Sequence, residues 1–193
     1  MLFRSLLAKQ RFGLLAPQIP DPSTVAEQVY THEHLELARS IADQSITLLR
    51  DRAGLLPLQP NEPLLVIEPS GARGLAAALN ATYLQTGTEP TQAEIKLALS
   101  MARDGRKVIV VTADANRLAE QADLVNDLLS AGAPVIVVAA RNPYDILAFP
   151  QVQTYILSYG LNFPSIQALV AVLRGEVVPS GHLPVEIPGL SGQ

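Results

Sequence analysis

The pattern of apolar and polar positions changes along the chain. Apolar residues recur at helical spacing near the amino end, closely spaced prolines then interrupt the pattern, and helical spacing resumes after Thr31. From Leu64 onward, short runs rich in valine and isoleucine alternate with stretches of helical periodicity. Strands that alternate with helices predict a mostly parallel sheet covered by helices on both faces.

The runs define the expected elements. Strands are predicted at Leu64–Ile67, Tyr83–Gln85, Lys107–Thr112, Pro134–Ala139, Thr154–Ser158 and, as a terminal edge strand, Pro184–Ile187. Helices are predicted at Leu75–Asn80, Thr91–Asp104, Asn116–Ala131 and Ser165–Arg174. The expected fold class is α/β: a flavodoxin-like, three-layer α/β/α sandwich with a mostly parallel sheet of about five or six strands and an N-terminal helical arm.

Two regions are predicted. Residues 1–30 form a helical arm and Pro-rich linker, in which Pro17, Pro20 and Pro22 exclude regular structure, and residues 31–193 form one α/β domain. Thr31 is expected to cap a helix that ends near Arg50. The amphipathic, basic amino terminus is interpreted as a helix that packs on another surface, rather than as a targeting signal.

Composition excludes several classes of function. Apolar residues make up 48% of the 193 residues and charged residues 17%, which indicates a folded domain. A net charge of −4 argues against nucleic-acid binding, and no apolar run reaches the roughly 20 residues that span a membrane. The absence of cysteine excludes disulfides and thiolate chemistry. We expect no metal and no cofactor, and a cytoplasmic location is favoured.

The most informative stretch is PVIVVAARNPYDILAFPQVQTYILSYG, residues 134–160. Its first strand leads into a polar loop, and ligands and partners of open α/β sheets gather where strands end. Our candidate residues for a cleft or a domain interface are therefore Arg141, Asn142, Tyr144 and Asp145. Because Asn142 also suits a helix N-cap before Pro143, capping and interface structure is preferred here over direct contact with a ligand.

Other motifs point to no chemistry. The turn Ser70–Gly74 follows a strand but lacks the G-x-G-x-x-G spacing of a phosphate-binding loop. His32 and His34 are one residue apart at a helix start and point to different sides, so they are not expected to chelate a metal. The remaining carboxylates of interest are scattered, at Asp114, Glu120, Asp123 and Asp127.

Four segments, taken in order, carry a resemblance to a known family. They are LAKQRFGL at 7–14, the helix and turn at 34–58, the stretch from Gln121 to Pro150 that contains RNPYD, and SGHLPV at 180–185. Together they resemble the C-terminal domain of family 3 glycoside hydrolases, and most closely the β-N-acetylhexosaminidase branch. The resemblance extends over nearly the whole chain.

The resemblance implies an enzyme built from a TIM-like barrel followed by an α/β sandwich. The barrel would carry both the nucleophilic aspartate and an Asp–His acid/base pair, so neither would lie in this chain. The β-glucosidase branch places an acid/base glutamate in the second domain, but residues 112–117 lack it. The resemblance therefore implies no catalytic residue here. It implies a non-catalytic domain that packs on a catalytic barrel, with carbohydrate at the cleft edge as a further expected contact.

Two alternatives remain open. The chain could be a stand-alone flavodoxin-like module that binds a small ligand or a protein at its strand ends. It could also self-associate through the apolar face of its N-terminal helix, which carries Leu2, Leu6, Leu7 and Leu14.

Overall fold

The computed structural model describes residues 2–16, 21–69 and 74–190. The chain divides into two compact units, residues 1–37 and 38–193. The turn predicted at Ser70–Gly74 falls, apart from Gly74, outside the described residues. No helix in the described part of the chain is both long enough and apolar enough to cross a membrane.

The first unit is helical. It contains α1 (Leu2–Arg11), a 3₁₀ turn (Pro22–Thr24), α2 (Val25–Val29) and the start of α3 (His32–Ser45). The expectation of no regular structure is wrong at Pro22, because a proline at the first position of a helix has no N–H that needs a partner. The side chains of Phe3, Leu6 and Leu7 are exposed, and self-association through α1 stays a prediction.

The helix after Thr31 is shorter than expected. Thr31 accepts a hydrogen bond from the His34 N–H at 3.2 Å, as a cap should, but α3 ends at Ser45. Residues Thr47–Asp51 instead form strand β1, which pairs antiparallel with a strand about a hundred residues later. The prediction of helix to Arg50 is wrong because this distant pairing overrides a helical periodicity.

The second unit is built around a six-stranded sheet. The five strands after β1 are β2 (Leu64–Pro69), β3 (Thr82–Thr86), β4 (Lys107–Thr112), β5 (Val135–Ala139) and β6 (Thr154–Leu157). Their order in the sheet is β1-β6-β5-β4-β2-β3, and all pairs except β1–β6 are parallel. Numbered among themselves, the parallel strands follow the order 2-1-3-4-5 of flavodoxin-like folds.

Helices cover both faces of the sheet. They are α4 (Gly74–Leu79), α5 (Gln92–Met101), α6 (Ala119–Ser130) and α7 (Phe163–Leu173). One core joins α4 and α7 to residues such as Val66 and Ile136, and the other joins α5 and α6 to residues such as Leu65 and Val137. This confirms the predicted α/β fold, with an aliphatic core on each side of a sheet buried on both faces.

Residues 174–190, the described part of the chain after α7, contain no strand, so the edge strand predicted at Pro184–Ile187 is wrong. The physical reason is that Pro184 has no N–H to donate to a ladder. The segment is held instead by the Gly181 N–H, which donates to the Ile46 carbonyl at 3.0 Å, and by the buried side chain of Ile187.

Gly181→Ala tests this attachment. A Cβ on Gly181 would lie 2.7 Å from the Ile46 carbonyl oxygen and would also meet the Ser45 carbonyl, so backbone has to move. We expect the free energy of unfolding, measured in urea, to fall by about 1–3 kcal/mol. In Gly87→Ala the new Cβ comes no closer than 3.4 Å to its neighbours, and a change below about 0.5 kcal/mol is expected. Equal stability of the two variants would contradict the packing described.

Candidate functional site

The strand order directs attention to the carboxyl edge of the parallel strands. The chain leaves β2 toward β3 on one side and returns to β4 on the other, so the direction of winding changes between β2 and β4. In open α/β sheets, binding crevices form outside the carboxyl ends of the strands at such a point. The loops after β4 and β5 both lie on this edge.

The loop after β5 contains the residues predicted from sequence. A 3₁₀ helix begins at Pro143, and the Asn142 side-chain oxygen caps it by accepting a hydrogen bond from the Tyr144 N–H at 2.9 Å. The Asn-Pro pair thus folds as its chemistry predicts, with the proline at the position that needs no donor. Arg141, the residue before this cap, is exposed at the surface.

Arg141 is held by a residue of the neighbouring loop. Its Nη1 lies 2.8 Å from Oδ2 of Asp114, and its side chain is 71% exposed. The other carboxylate oxygen of Asp114 accepts a hydrogen bond from the Asn142 side-chain nitrogen at 2.6 Å. One carboxylate therefore joins the loop after β4 to two adjacent residues of the loop after β5.

The loop after β4 has an unusual backbone conformation. Asp114 has a backbone φ of +69°, in the left-handed region that residues other than glycine rarely adopt. The preceding residue, Ala113, is held on both backbone groups by the buried side chain of Gln121, at 2.8 Å and 3.0 Å. The Gln121 amide also donates to the carbonyl of Thr88 at 2.8 Å. The conformation is thus imposed by the surrounding structure.

Asp145 lies beneath both loops and is completely buried. Its Oδ2 accepts a 2.7 Å hydrogen bond from the Thr112 hydroxyl, and its Oδ1 accepts one from the Asn116 N–H at 3.3 Å. Burial raises the pKa of Asp145 and the nearby charge of Asp114 adds to this, although the hydrogen bonds act in the opposite direction. The side chain of Asp145 thus connects the 3₁₀ helix after β5 to the end of β4 and to the loop that follows β4.

Two tyrosines complete the surroundings of Asp145. Tyr155 is buried, and its hydroxyl donates to the carbonyl of Pro143 at 3.3 Å. Burial, and to a lesser extent the charge of Asp145, raises the pKa of Tyr155 well above its usual value. Tyr144 is half-buried and packs against the core beneath the loop.

The four candidate residues thus have different positions. Arg141 faces solvent, and Asn142 caps the 3₁₀ helix and binds Asp114. Tyr144 packs against the core, and Asp145 is buried. The two residues that connect them, Asp114 and Thr112, were not among the predicted site residues. A signal for them exists, because both lie at the end of β4 next to the switch point, but it can be used only when the strand order is known.

The two carboxylates of this network, Asp114 and Asp145, differ in their surroundings. A retaining glycosidase needs two accessible carboxyl groups roughly 5 Å apart. Of the two carboxylates in this network, Asp145 is enclosed and Asp114 is engaged by Arg141 and Asn142. Within the described ranges no cluster of histidine, aspartate and glutamate could hold a metal ion. The outward-facing chemistry is the set of N–H donors on Arg141.

A groove of about 810 Å³ lies at the other end of the parallel strands, where β2 and β3 begin. It is lined by residues 57–64, by Leu79, Asn80 and Thr82, and by Arg174 and Glu176, which follow α7. None of the sequence-predicted residues lines it. The predicted site and this groove are therefore separate.

Comparison with known proteins connects the geometry to a family. The model of the family described as "Glycosyl hydrolase family 3 C-terminal domain" matches residues 46–193. Among curated proteins, a lysosomal beta glucosidase of Dictyostelium discoideum is 23% identical over 98% of this chain.

Many solved structures are similar to the chain. A glycoside hydrolase family 3 beta-N-acetylglucosaminidase from Paenibacillus sp. str. FPU-7 is 29% identical with a TM-score of 0.80, and 96% of this chain is covered. A fungal multi-domain GH3 beta-N-acetylglucosaminidase is 26% identical with a TM-score of 0.73 over 89% of this chain. This chain spans 38% and 21% of those chains, and 30% of the Dictyostelium protein.

The pKa of Asp145 leads to a pH test. Because it is raised, the folded protein holds a proton more tightly than the unfolded chain, whose aspartates titrate near about 3.9. The contribution of Asp145 to stability is therefore present at low pH and lost as the pH rises through the folded pKa.

In Asp145→Asn the amide oxygen can still accept from the Asn116 N–H, and the amide nitrogen can donate to the Thr112 hydroxyl. We expect the free energy of unfolding of the wild type, relative to Asp145→Asn, to decrease between pH 4 and pH 7. Chemical denaturation at a series of pH values measures this. A constant difference would show that the pKa of Asp145 is not raised, and a difference that grows with pH would show that the carboxylate is stabilised in its charged form.

Proposed function

The chain belongs to the family of glycosyl hydrolase family 3 C-terminal domains, and from this premise we propose that it is the non-catalytic C-terminal domain of a β-N-acetylhexosaminidase. In this role it packs on the catalytic barrel of that enzyme and completes one wall of the cleft. The substrate class of the whole enzyme is then a glycoside with terminal β-linked N-acetylglucosamine.

The choice of branch is supported by sequence and by structure. The four segments that resemble the family, the RNPYD stretch among them, together resemble the hexosaminidase branch most closely. Two similar structures above 25% identity are named as beta-N-acetylglucosaminidases. The Dictyostelium relative is named as a beta glucosidase. The β-glucosidase branch is disfavoured because residues 112–117, which follow β4, contain no glutamate that could serve as its acid/base.

The observation that supports the proposal is the difference in exposure between Asp145 and Arg141 at the carboxyl ends of the strands. Asp145, the one carboxylate among the predicted site residues, is enclosed under the loops, whereas Arg141 is 71% exposed. An edge that shields its carboxylate and presents a guanidinium is suited to contact another surface. Since this chain spans 38% of the Paenibacillus enzyme, the rest of such an enzyme has room for the barrel.

The first test concerns activity. The isolated chain, at micromolar concentration, is expected to release no p-nitrophenol from p-nitrophenyl N-acetyl-β-D-glucosaminide above the buffer rate, because the reacting carboxylates belong to the barrel. The same chain mixed with a separately expressed catalytic barrel from the same source serves as the positive control. Turnover by the chain alone would overturn the non-catalytic assignment.

The second test concerns the interface. Arg141→Ala is expected to weaken binding to that barrel about tenfold, because a buried charge partner on the barrel loses its donors. Tyr144→Ala is expected to act in the same direction through loss of packing under the loop. Arg103→Ala, a matched control, removes an exposed arginine from the turn before β4 at the opposite edge. Isothermal titration calorimetry gives the dissociation constants, and unchanged binding of Arg141→Ala would remove the loop from the interface.

A further inference from the structure

More contacts fix the position of Asp114 than the small contribution of its ion pair to folding stability would explain. The Arg141–Asp114 pair lies at the surface, with the Asp114 side chain 20% exposed and that of Arg141 71% exposed. Pairs of this kind contribute little to folding, because water screens the charges and both side chains lose rotamer freedom. A role in stability therefore does not account for the geometry around Asp114.

That geometry is held from three directions. Gln121 fixes the residue before Asp114, and the enclosed Asp145 accepts from the Asn116 N–H on the other side. The carbonyl of Asp114 itself accepts from the Arg117 N–H at 2.8 Å and the Leu118 N–H at 2.9 Å. These contacts keep Asp114 at a φ of +69°. Side chains with a left-handed backbone carry strain, and such strain is often found at functional sites.

The consequence is a carboxylate with a fixed direction. Its two oxygens are used by Arg141 and Asn142, which belong to the loop after β5. Arg141 has five N–H donors in a planar fork, and Asp114 engages Nη1. The exposure of the side chain leaves other donors of the fork accessible from outside the domain.

We propose that Asp114 is a positioning residue that sets the direction of the Arg141 guanidinium toward an acceptor group on the catalytic barrel. This inference rests on the proposed function, and it adds to it the residue that makes the contact specific. A free arginine side chain loses much rotamer freedom when it is immobilised in an interface. Holding Arg141 in place before binding removes part of that cost, which strengthens binding without a new contact between the partners.

The test separates pairing from folding. Asp114→Gly removes the carboxylate but suits the left-handed backbone, because glycine has no Cβ. Asp104→Gly is the matched control: Asp104 also has a left-handed φ, +64°, and its side chain is exposed in the turn before β4, at the opposite edge of the sheet. Both variants are expected to have melting temperatures within about 4 °C of the wild type.

Binding to the barrel is then measured by calorimetry. Asp114→Gly is expected to weaken binding about tenfold, and Asp104→Gly to leave it unchanged. Adding Arg141→Ala to Asp114→Gly is expected to cause little further loss, because the two residues act as one unit. Asp114→Asn, which also tolerates the left-handed backbone, is measured in parallel and is expected to weaken binding at least about threefold, since its amide lacks the charge.

The possible failures are distinguishable. If Arg141→Ala weakens binding but both Asp114 variants bind as tightly as the wild type, the positioning role is wrong and the proposed interface stands. If the wild type does not bind the barrel, or if Arg141→Ala binds normally, the proposed interface is wrong and the inference falls with it. If Asp104→Gly weakens binding as much as Asp114→Gly, the effect comes from the glycine and the inference is likewise overturned.

Discussion

A carboxylate enclosed in an apolar layer must be surrounded by donors, and this requirement at Asp145 organises the carboxyl edge of the sheet. Its partners come from the end of β4 and from the loop that follows, so the side chain ties the segment after β5 to the segment after β4. Leaving such donors unpaired in the interior would cost far more than the pairs contribute when made. The surface arrangement of Arg141, Asn142 and Asp114 is built upon this buried connection.

The parallel part of the fold could be predicted from sequence because its information is local. Runs such as Val135–Ala139 are apolar throughout, which a strand buried on both faces requires, and glycines mark the helix ends between them. Strand β1 could not be predicted in this way. Residues 47–51 become a strand only through the antiparallel partner β6 and through hydrogen bonds from Arg50 to two distant carbonyls. The residues around 47–51 give no indication of a partner strand about a hundred residues later.

The candidate site likewise combines features set by adjacent residues with features set by distant contacts. Asn142 and Pro143 predict their own turn, since a side-chain cap and a missing donor are properties of adjacent residues. Asp114 is one of several carboxylates of interest in the sequence, but such reasoning cannot assign it to the site, because its partners lie in the neighbouring loop that the strand order brings beside it. Similar domains occur in proteins named as glucosidases and as N-acetylglucosaminidases. One architecture thus serves different activities, and the differences have to be sought in loops rather than in the sheet.

The antiparallel strand β1 has a consequence for the order in which the domain is assembled. Arg50 lies 102 residues before the Val152 carbonyl that it binds, with the central parallel strands in between. During synthesis, β1 therefore leaves the ribosome first among the strands of this sheet, yet it cannot pair until β6, the last of them, has emerged. Contacts between such distant residues form slowly because a long loop must close first. The first strand to be made is thus expected to be the last to join the sheet, and a nascent chain stopped before β6 would carry β1 as an unpaired segment open to other partners.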